Sequence, residues 1–355
     1  MEQKINVGII FGVKSCEHEV SLQSSYNVIK SIDKDKFALT LIGISREGRW
    51  SIYGGDVEKI KDDTWFEDEA NKWDFSFWKD EDFSCVDIFF PVLHGTFGED
   101  GTIQGLFEIL GKPYVGCGVL ASSAAMDKCT AKILFQDAGI PVANGLTLRK
   151  REIVESTEKA VAGVESEFNY PVFVKPANMG SSVGISKAHN REELKAALIE
   201  AVKFDTKILV EEFVDAYEVE IAVLGNEAPE TSCPGMIVPC HEFYDYDAKY
   251  LTGDDSKILI PAPVSEETTQ KVKEYAKKAF RALECSGLSR IDFFVRKDNN
   301  EVIINEVNTL PGFTNISMYS KLWGECGVEY SSLITDLIDL GFEHYNTRKE
   351  LQFKK

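Results

Sequence analysis

The chain has 355 residues, too many for one ordinary hydrophobic core, so two or three domains are expected. Its 44% hydrophobic and 27% charged residues are the balance of a soluble globular protein. A net charge of −19 argues against a basic surface for nucleic acid and disfavours contact with anionic membranes.

The opening residues 1–12 lack a signal-peptide layout, because their short apolar run leads directly into a strand-like start and a glycine turn. No apolar run approaches the roughly 18 residues of a membrane span. The eight cysteines (16, 85, 117, 129, 233, 240, 285 and 326) are scattered without a C-x-x-C pair. That pattern reads as reduced thiols in a cytoplasmic protein and disfavours zinc.

Taken in order, residues 5–11 predict a short apolar strand ending at Gly12, and 21–32 have helical spacing through Leu22, Val28, Ile29 and Ile32. A second strand is expected at 37–44. Residues 47–84 are acidic and rich in aromatics (Trp50, Trp65, Trp73, Trp78), which reads as an insertion or an elaborated sheet edge with packed rings. Residues 87–93 form a fully apolar strand running into His94-Gly95 and the acidic loop Gly98-Glu99-Asp100-Gly101, with a helix at 102–110. Apolar strands separated by helices indicate a parallel sheet covered on both faces, an α/β arrangement.

The character then changes. One helix is expected over 122–138, carrying Met126-Asp127-Lys128 and closed by Gly139 and Pro141. Residues 150–168 have helical spacing with alternating charges. Strands at 170–175 and 185–188 flank a Gly-Ser loop, and a helix at 192–204 and a strand at 207–213 follow. A third region starts with a strand at 219–224 and runs to a terminal helix near 331–340. There is no internal repeat and no low-complexity segment.

Residues 288–308 read as two strands joined by the polar turn Lys297-Asp298-Asn299-Asn300, followed by a loop broken at Pro311-Gly312. Strand alternation places Arg290, Asp292 and Phe294 on one face, and Ile304, Glu306 and Asn308 on one face of the partner strand. Ile291, Phe293, Val295, Ile303 and Val307 make the apolar opposite face. If the polar faces match, Asp292, Glu306 and Asn308 converge. Two carboxylates about 4 Å apart repel by roughly 4 kcal/mol at an effective dielectric near 20, so a cation is expected between them. Oxygen ligands of this kind suit magnesium bridging to phosphates. An ordinary hairpin with solvated charges stays open as the alternative.

The Gly-Ser loop also has two readings. Gly180-Ser181-Ser182-Val183-Gly184 satisfies the G-x-S-x-G elbow of serine hydrolases, with Ser182 as nucleophile. That elbow requires a helix directly after it, whereas Ile185-Ser186-Lys187-Ala188 reads as a strand, and no Asp-then-His pair follows although His241 and His344 are available. The other reading is a hairpin whose backbone N–H groups close over phosphates, with Lys175 adding positive charge.

The set of motifs resembles the ATP-grasp ligases, and within them the D-alanine–D-alanine ligase family. It comprises Lys175 before the Gly-Ser hairpin, the pair Glu211-Glu212 at a strand end, and Arg290-Ile291-Asp292 with Asn305-Glu306-Val307-Asn308-Thr309 and Pro311-Gly312-Phe313. Phe11-Gly12 with Ser15-Cys16-Glu17-His18-Glu19, Leu93-His94-Gly95, Met126-Asp127-Lys128 and Phe243-Tyr244-Asp245-Tyr246-Asp247-Ala248-Lys249-Tyr250 follow in family order, spanning nearly the whole chain.

The resemblance implies three domains: an N-terminal α/β substrate domain at 1–115, a central ATP-grasp domain at 116–213 and a C-terminal catalytic domain at 214–355, the last two clasping ATP. It implies that Lys128, Lys175 and Lys249 reach the phosphates, that Glu211, Glu212, Phe213 and Val214 face adenine, and that Glu218 takes the ribose. Asp292, Glu306 and Asn308 would hold two Mg2+ (or Mn2+) ions, with Glu306 shared. Glu17 would hold the ammonium of the first D-alanine, with Ser181 and Tyr250 linking it to a lid at 242–255. His94, Ser317 and the Met318 backbone would meet the second D-alanine, and Arg290 with the Gly312 N–H would receive the oxyanion.

The implied function is an ATP-dependent ligase making D-alanyl-D-alanine through an acyl phosphate for peptidoglycan precursors, cytoplasmic and homodimeric through the N-terminal domain. The tyrosines of 244–250 argue against D-lactate as second substrate. D-Serine stays open, because relatives that use it share much of that loop and of 64–68. Taken singly, each residue has a plainer role: Glu17 complementing a helix dipole, His94 as a structural histidine, Arg290 in a surface pair worth about 0–1 kcal/mol.

Overall fold

The computed structural model describes residues 4–73, 84–238 and 257–351. Three sheets organise them. In the first, β1 (Ile5–Gly12) lies between β2 (Phe37–Ile44) and β5 (Ile88–Pro91), parallel to both. Val7, Ile9 and Phe11 enter one apolar cluster and Ile10 enters another, which is why the strand reads as uninterrupted hydrophobic sequence. β3 (Trp50–Tyr53) and β4 (Asn71–Lys72) extend the other side of β2 antiparallel, so 47–73 is an elaborated sheet edge. Trp65 is fully buried there, edge-on to Phe11 with ring centroids 4.9 Å apart. Among the described residues, the α-helices of this region are α1 (His18–Ser31), α2 (Val57–Lys61) and α3 (Thr102–Leu110).

Residues 119–137 form two helices, not the single one expected. α4 (Val119–Met126) stops where Asp127 turns extended, and the Asp127 side chain caps α5 (Lys128–Asp137) by accepting from the Thr130 N–H at 3.0 Å. A second antiparallel sheet follows, ordered β6 (Gly145–Arg149), β9 (Lys207–Glu212), β7 (Val172–Pro176), β8 (Ser186–Ala188). It has its own core with α6 (Lys150–Glu155), α7 (Thr157–Glu167) and α8 (Arg191–Ala201). The single helix expected over 150–168 is therefore also two, because Ser156 caps the second of them.

The third sheet is antiparallel, ordered β13 (Lys257–Leu259), β12 (Gly235–Val238), β10 (Ala216–Gly225), β14 (Gly287–Arg296), β15 (Val302–Asn308), with β11 (Glu230–Thr231) on β10. α9 (Glu266–Ala282) buries Val272, Ala276, Ala279 and Phe280 against it. α10 (Met318–Glu325) and α11 (Tyr330–Lys349) close the chain. Leu333, Ile334, Leu337 and Ile338 of α11 share one cluster with Val7 and Ile9 of the first sheet. The first and third sheets are thus joined through a continuous apolar core, and the second approaches them from across a cleft.

Alternation on β14 is as expected, with Ile291, Phe293 and Val295 buried. The expectation for Ile303 and Ile304 is reversed. Asp292 pairs with Glu306, but Phe293 pairs with Ile304, so a bulge absorbs Asn305. Beyond the bulge the faces exchange: Ile304 joins the apolar cluster of Ile291 and Phe293, and Ile303 packs with Ala143 and Val214 beside Phe294.

Candidate active site

The three sheets enclose a cavity of about 1320 Å³. Its floor is the β14–β15 hairpin, where register sets Arg290 opposite Asn308 and Asp292 opposite Glu306. The Arg290 guanidinium forks onto Asp292, with Nε to Oδ1 and Nη2 to Oδ2 both at 2.8 Å, and also meets Glu220 at 2.9 Å. Burial opposes the Arg290 charge, but the carboxylates of Asp292 and Glu220 overcome it and raise the pKa well above its ordinary value. Asn308 Nδ2 donates to Asp292 Oδ2 at 3.0 Å, which leaves the amide oxygen as a ligand.

Among the described residues no three His, Cys, Asp or Glu side chains cluster into a self-sufficient metal cage. Two carboxylates and an amide oxygen nevertheless match the oxygen chemistry of magnesium, which takes one or two carboxylates and completes its shell with phosphate oxygens and waters.

The cationic wall comes from α5 and β7. Lys128 Nζ donates to the Met179 carbonyl at 2.8 Å and lies 3.7 Å from Glu306. Lys175 Nζ is 2.6 Å from Glu211, and Lys132, one helical turn after Lys128, grips the other oxygen of the same carboxylate. Burial works against the ionised form of Glu211, but Lys175 and Lys132 hold its pKa below the usual carboxylate range. Burial likewise opposes the Lys175 charge, and Glu211 raises its pKa in spite of it. The Glu211 side chain is therefore committed to two lysines.

Beyond it, Ala143, Val214 and Phe294 line the cavity and are backed by the buried Ile303, an apolar wall of a kind that takes a flat aromatic ring. Glu212, Phe213 and Glu218 line the same end of the cavity. One oxygen of the Glu212 carboxylate accepts two bonds of 3.0 Å from Asn144 and lies 3.7 Å from Arg296.

At the opposite end, Ser181 Oγ donates a short hydrogen bond to Glu17. Two glycines make room for that carboxylate. A Cβ on Gly95 would lie 2.3 Å from a Glu17 oxygen, and one on Gly180 2.7 Å from the same atom. Glu99 accepts from the Gly95 N–H at 2.9 Å and faces the Leu310 N–H at 3.5 Å. Its burial, reinforced by the Glu17 charge, pushes its pKa up to about 8.

His94 Nδ1 lies 2.8 Å from the Leu310 carbonyl and Nε2 3.0 Å from Ser24 Oγ. Burial lowers the His94 pKa to about 4, so the ring is neutral. Gly312 lines the cavity, and its N–H has no hydrogen-bond partner among the described residues. Ser317 is the residue before the first turn of α10 but makes no side-chain capping bond, because its Oγ accepts from the Thr314 N–H at 3.1 Å. Ser317 and Met318 thereby present a helix N-terminus to the cavity, a favourable place for a carboxylate.

Of the residues singled out from sequence, Glu17, His94, Lys128, Lys175, Ser181, Glu211, Glu212, Phe213, Val214, Glu218, Arg290, Glu306, Asn308, Gly312, Ser317 and Met318 all line this cavity. Asp292 stands behind Arg290 and Asn308 and joins the wall through them. Lys249, Tyr250 and the expected lid lie outside the described residues. The serine-elbow reading fails on topology, because β7 and β8 are antiparallel neighbours and no helix follows Ser182 directly.

Sequence reasoning missed Lys132, Glu220 and the role of Glu99. Helical spacing from Lys128 and strand spacing from Glu218 were available signals for the first two. For Glu99, whose partners come from distant segments, there was none.

The chain is similar to known proteins over nearly its whole length. The family described as "D-ala D-ala ligase N-terminus" matches residues 6–117, and that described as "D-ala D-ala ligase C-terminus" matches 134–339. The chain is 50% identical to a D-alanine–D-alanine ligase of Acetivibrio thermocellus, over 98% of each chain. Among solved structures it resembles the VanG D-Ala:D-Ser ligase from Enterococcus faecalis, with TM-score 0.85 and 39% identity over 96% of this chain and 100% of that one. It also resembles the D-alanine–D-alanine ligase from Coxiella burnetii, with TM-score 0.85 and 32% identity over 98% and 96%.

Proposed function

The chain belongs to the D-alanine–D-alanine ligase family, and from that premise we propose how its cavity carries out the reaction. The fold is ATP-grasp, and the protein is an ATP-dependent ligase that joins two D-alanines into D-alanyl-D-alanine for peptidoglycan synthesis. The observation that carries the site reading is the meeting of Lys128, Lys175 and Glu306 with the Glu17–Ser181 pair in one cavity.

ATP lies with its base on the wall of Ala143, Val214 and Phe294 and its phosphates toward Lys128 and Lys175. Glu17 receives the ammonium of the first D-alanine, and Ser181 ties that carboxylate to the loop over the phosphates. Asp292, Glu306 and Asn308 would hold the divalent cations, which would supply charge neutralisation to the phosphates. The first D-alanine carboxylate takes that phosphoryl group, giving an acyl phosphate and ADP. Phosphoryl transfer needs positioning and charge neutralisation more than covalent help, which lysines on two different elements supply.

Ser317 and the Met318 N–H hold the carboxylate of the second D-alanine. Its amine attacks the acyl carbon, phosphate leaves, and the Arg290 guanidinium and Gly312 N–H receive the oxyanion. The bonds from Asp292 and Glu220 keep Arg290 charged and oriented for that role.

We place the domain boundaries near 115 and 213, one sheet to each domain. The enzyme is proposed to act in the cytoplasm, where ATP and reduced thiols are found. Among the described residues no helix is long and apolar enough to cross a membrane. A homodimer through the N-terminal domain is supported by exposed apolar side chains on and just before α3, Ile109 and Phe97.

The deciding experiment offers the enzyme ATP, Mg2+ and D-alanine with D-serine in competition and identifies the products. D-Alanyl-D-alanine as the main product is expected. Predominance of D-alanyl-D-serine would favour the second reading, which rests on the likeness to the VanG D-Ala:D-Ser ligase. Phosphate release independent of any D-amino acid would refute both.

A further inference from the structure

Residues 310–313 have the composition of a tight turn, with Pro311 and Gly312 in the two central positions. In a closed β-turn the Leu310 carbonyl would accept from the Phe313 N–H, and a Pro-Gly pair favours the type with positive φ at the glycine. Neither feature is present. The Leu310 carbonyl faces His94 Nδ1 at 2.8 Å, the Phe313 N–H donates to Ser24 Oγ at 3.2 Å, and Gly312 is not among the residues with positive φ.

Donor and acceptor roles along this path are fully determined. A carbonyl only accepts, so His94 Nδ1 carries the proton. The neutral ring then accepts at Nε2, and the Ser24 hydroxyl, 3.0 Å away, must donate to it. That hydroxyl oxygen in turn accepts from Phe313. The chain Phe313 N–H to Ser24 to His94 to Leu310 C=O therefore replaces the single bond that would close the turn. Ser24 and His94 are 0% and 3% exposed and belong to the first sheet's unit, whereas the loop follows β15 of the third.

We infer that Ser24 and His94 form a wedge that holds the 310–313 turn open and thereby aims the Gly312 N–H at the oxyanion that forms on the acyl group, making them positioning residues for the second chemical step. This rests on the proposed role of Gly312 as oxyanion donor. The peptide bearing that N–H lies between the two atoms the wedge separates, so losing the wedge frees the Phe313 N–H and the Leu310 carbonyl and lets the Pro-Gly peptide shift, which re-aims the donor. The Glu99 contact to the Leu310 N–H and the Tyr330 hydroxyl, donating to the Phe313 carbonyl at 2.7 Å, brace the outer side of the same loop.

The test uses full-length Ser24→Ala and Ser24→Thr. Rapid-quench measurement of the first turnover reads ADP formation, steady-state product release reads the whole reaction, and hydrogen exchange reads the Phe313 amide, with β1 amides as the folding control. For Ser24→Ala the ADP burst should stay within about threefold of wild type, steady-state turnover should fall roughly ten- to hundredfold, and Phe313 exchange should rise at least about tenfold. Ser24→Thr, which keeps the hydroxyl, should recover most of both. Unchanged Phe313 exchange, or a burst slowed in proportion to turnover, would overturn the wedge. Faster exchange with unchanged turnover would instead overturn the Gly312 oxyanion role on which it rests.

Discussion

Glu211→Gln tests whether the cavity stores uncompensated cationic charge for ATP. Glu211 is 2% exposed, and its partners Lys132 and Lys175 are 8% and 9% exposed. Lys175 sits 2.6 Å from the carboxylate, and the other carboxylates acting on it are Glu306 and Glu218. Removing one partner from a buried pair typically costs about 3–5 kcal/mol, because the remaining charge stays desolvated. With an unfolding entropy of about 2.1 cal/mol/K per residue over 355 residues, that corresponds to a fall in Tm of roughly 4–7 °C. ATP phosphates supply the missing negative charge, so saturating ATP should raise the Tm of the variant more than that of wild type. Scanning calorimetry with and without ATP, in the absence of D-alanine, measures both shifts. The pH dependence has a definite sign. The Glu211 pKa is depressed in the folded state, so its stabilisation is present above the ordinary carboxylate range and lost as pH falls below that range through the depressed folded value. Wild type should show that acid limb and the variant should not. A fall in Tm below about 1 °C, or an ATP-induced shift no larger than in wild type, would refute the reasoning.

Glu306→Gln should leave the thermal transition near that of wild type while cutting D-alanine-dependent ADP release at least about a hundredfold; near-normal release would sink the shared-metal role. Glu99 carries the opposite pH signature to Glu211. Its folded pKa of about 8 exceeds the unfolded value, so its stabilisation is full below about pH 4.5 and lost as pH rises toward 8. The unliganded enzyme should therefore lose Tm across that window, with Glu17 and Arg290 as the charges facing the group, and Glu99→Gln should flatten the loss; an equally steep curve in the variant would contradict it. A fluorophosphonate should not label Ser182, as mass spectrometry of the treated protein can read directly, and stoichiometric labelling would revive the hydrolase reading.

Much of the fold follows from local pattern. The uninterrupted apolar run of β1 specifies a strand covered on both faces, and the alternation of β14 separates Arg290 and Asp292 from Ile291 and Phe293 without reference to anything distant. Turn residues at 297–300 fix the hairpin, so Asp292 and Glu306 meet as expected. Local pattern falters where a single residue changes phase. The bulge at Asn305 exchanges Ile303 and Ile304, and the Asp127 cap divides a run of helical spacing into two helices.

The chemistry of the site was determined by the sequence insofar as it resides in residue types on one strand or loop: carboxylates on a hairpin, lysines before a Gly-Ser turn, an acid at Glu17. What the tertiary structure alone decided is how those groups are spent. Glu211 is bound to Lys132 and Lys175, Arg290 is held by Glu220 as well as Asp292, and His94 gives both ring nitrogens to Ser24 and Leu310. Many of these bonds join side chains far apart in the chain. Their formation depends on how three sheets pack, and no periodicity within a single element encodes that. A side chain's type announces what it can bind, whereas burial among particular neighbours decides which of those bonds it makes.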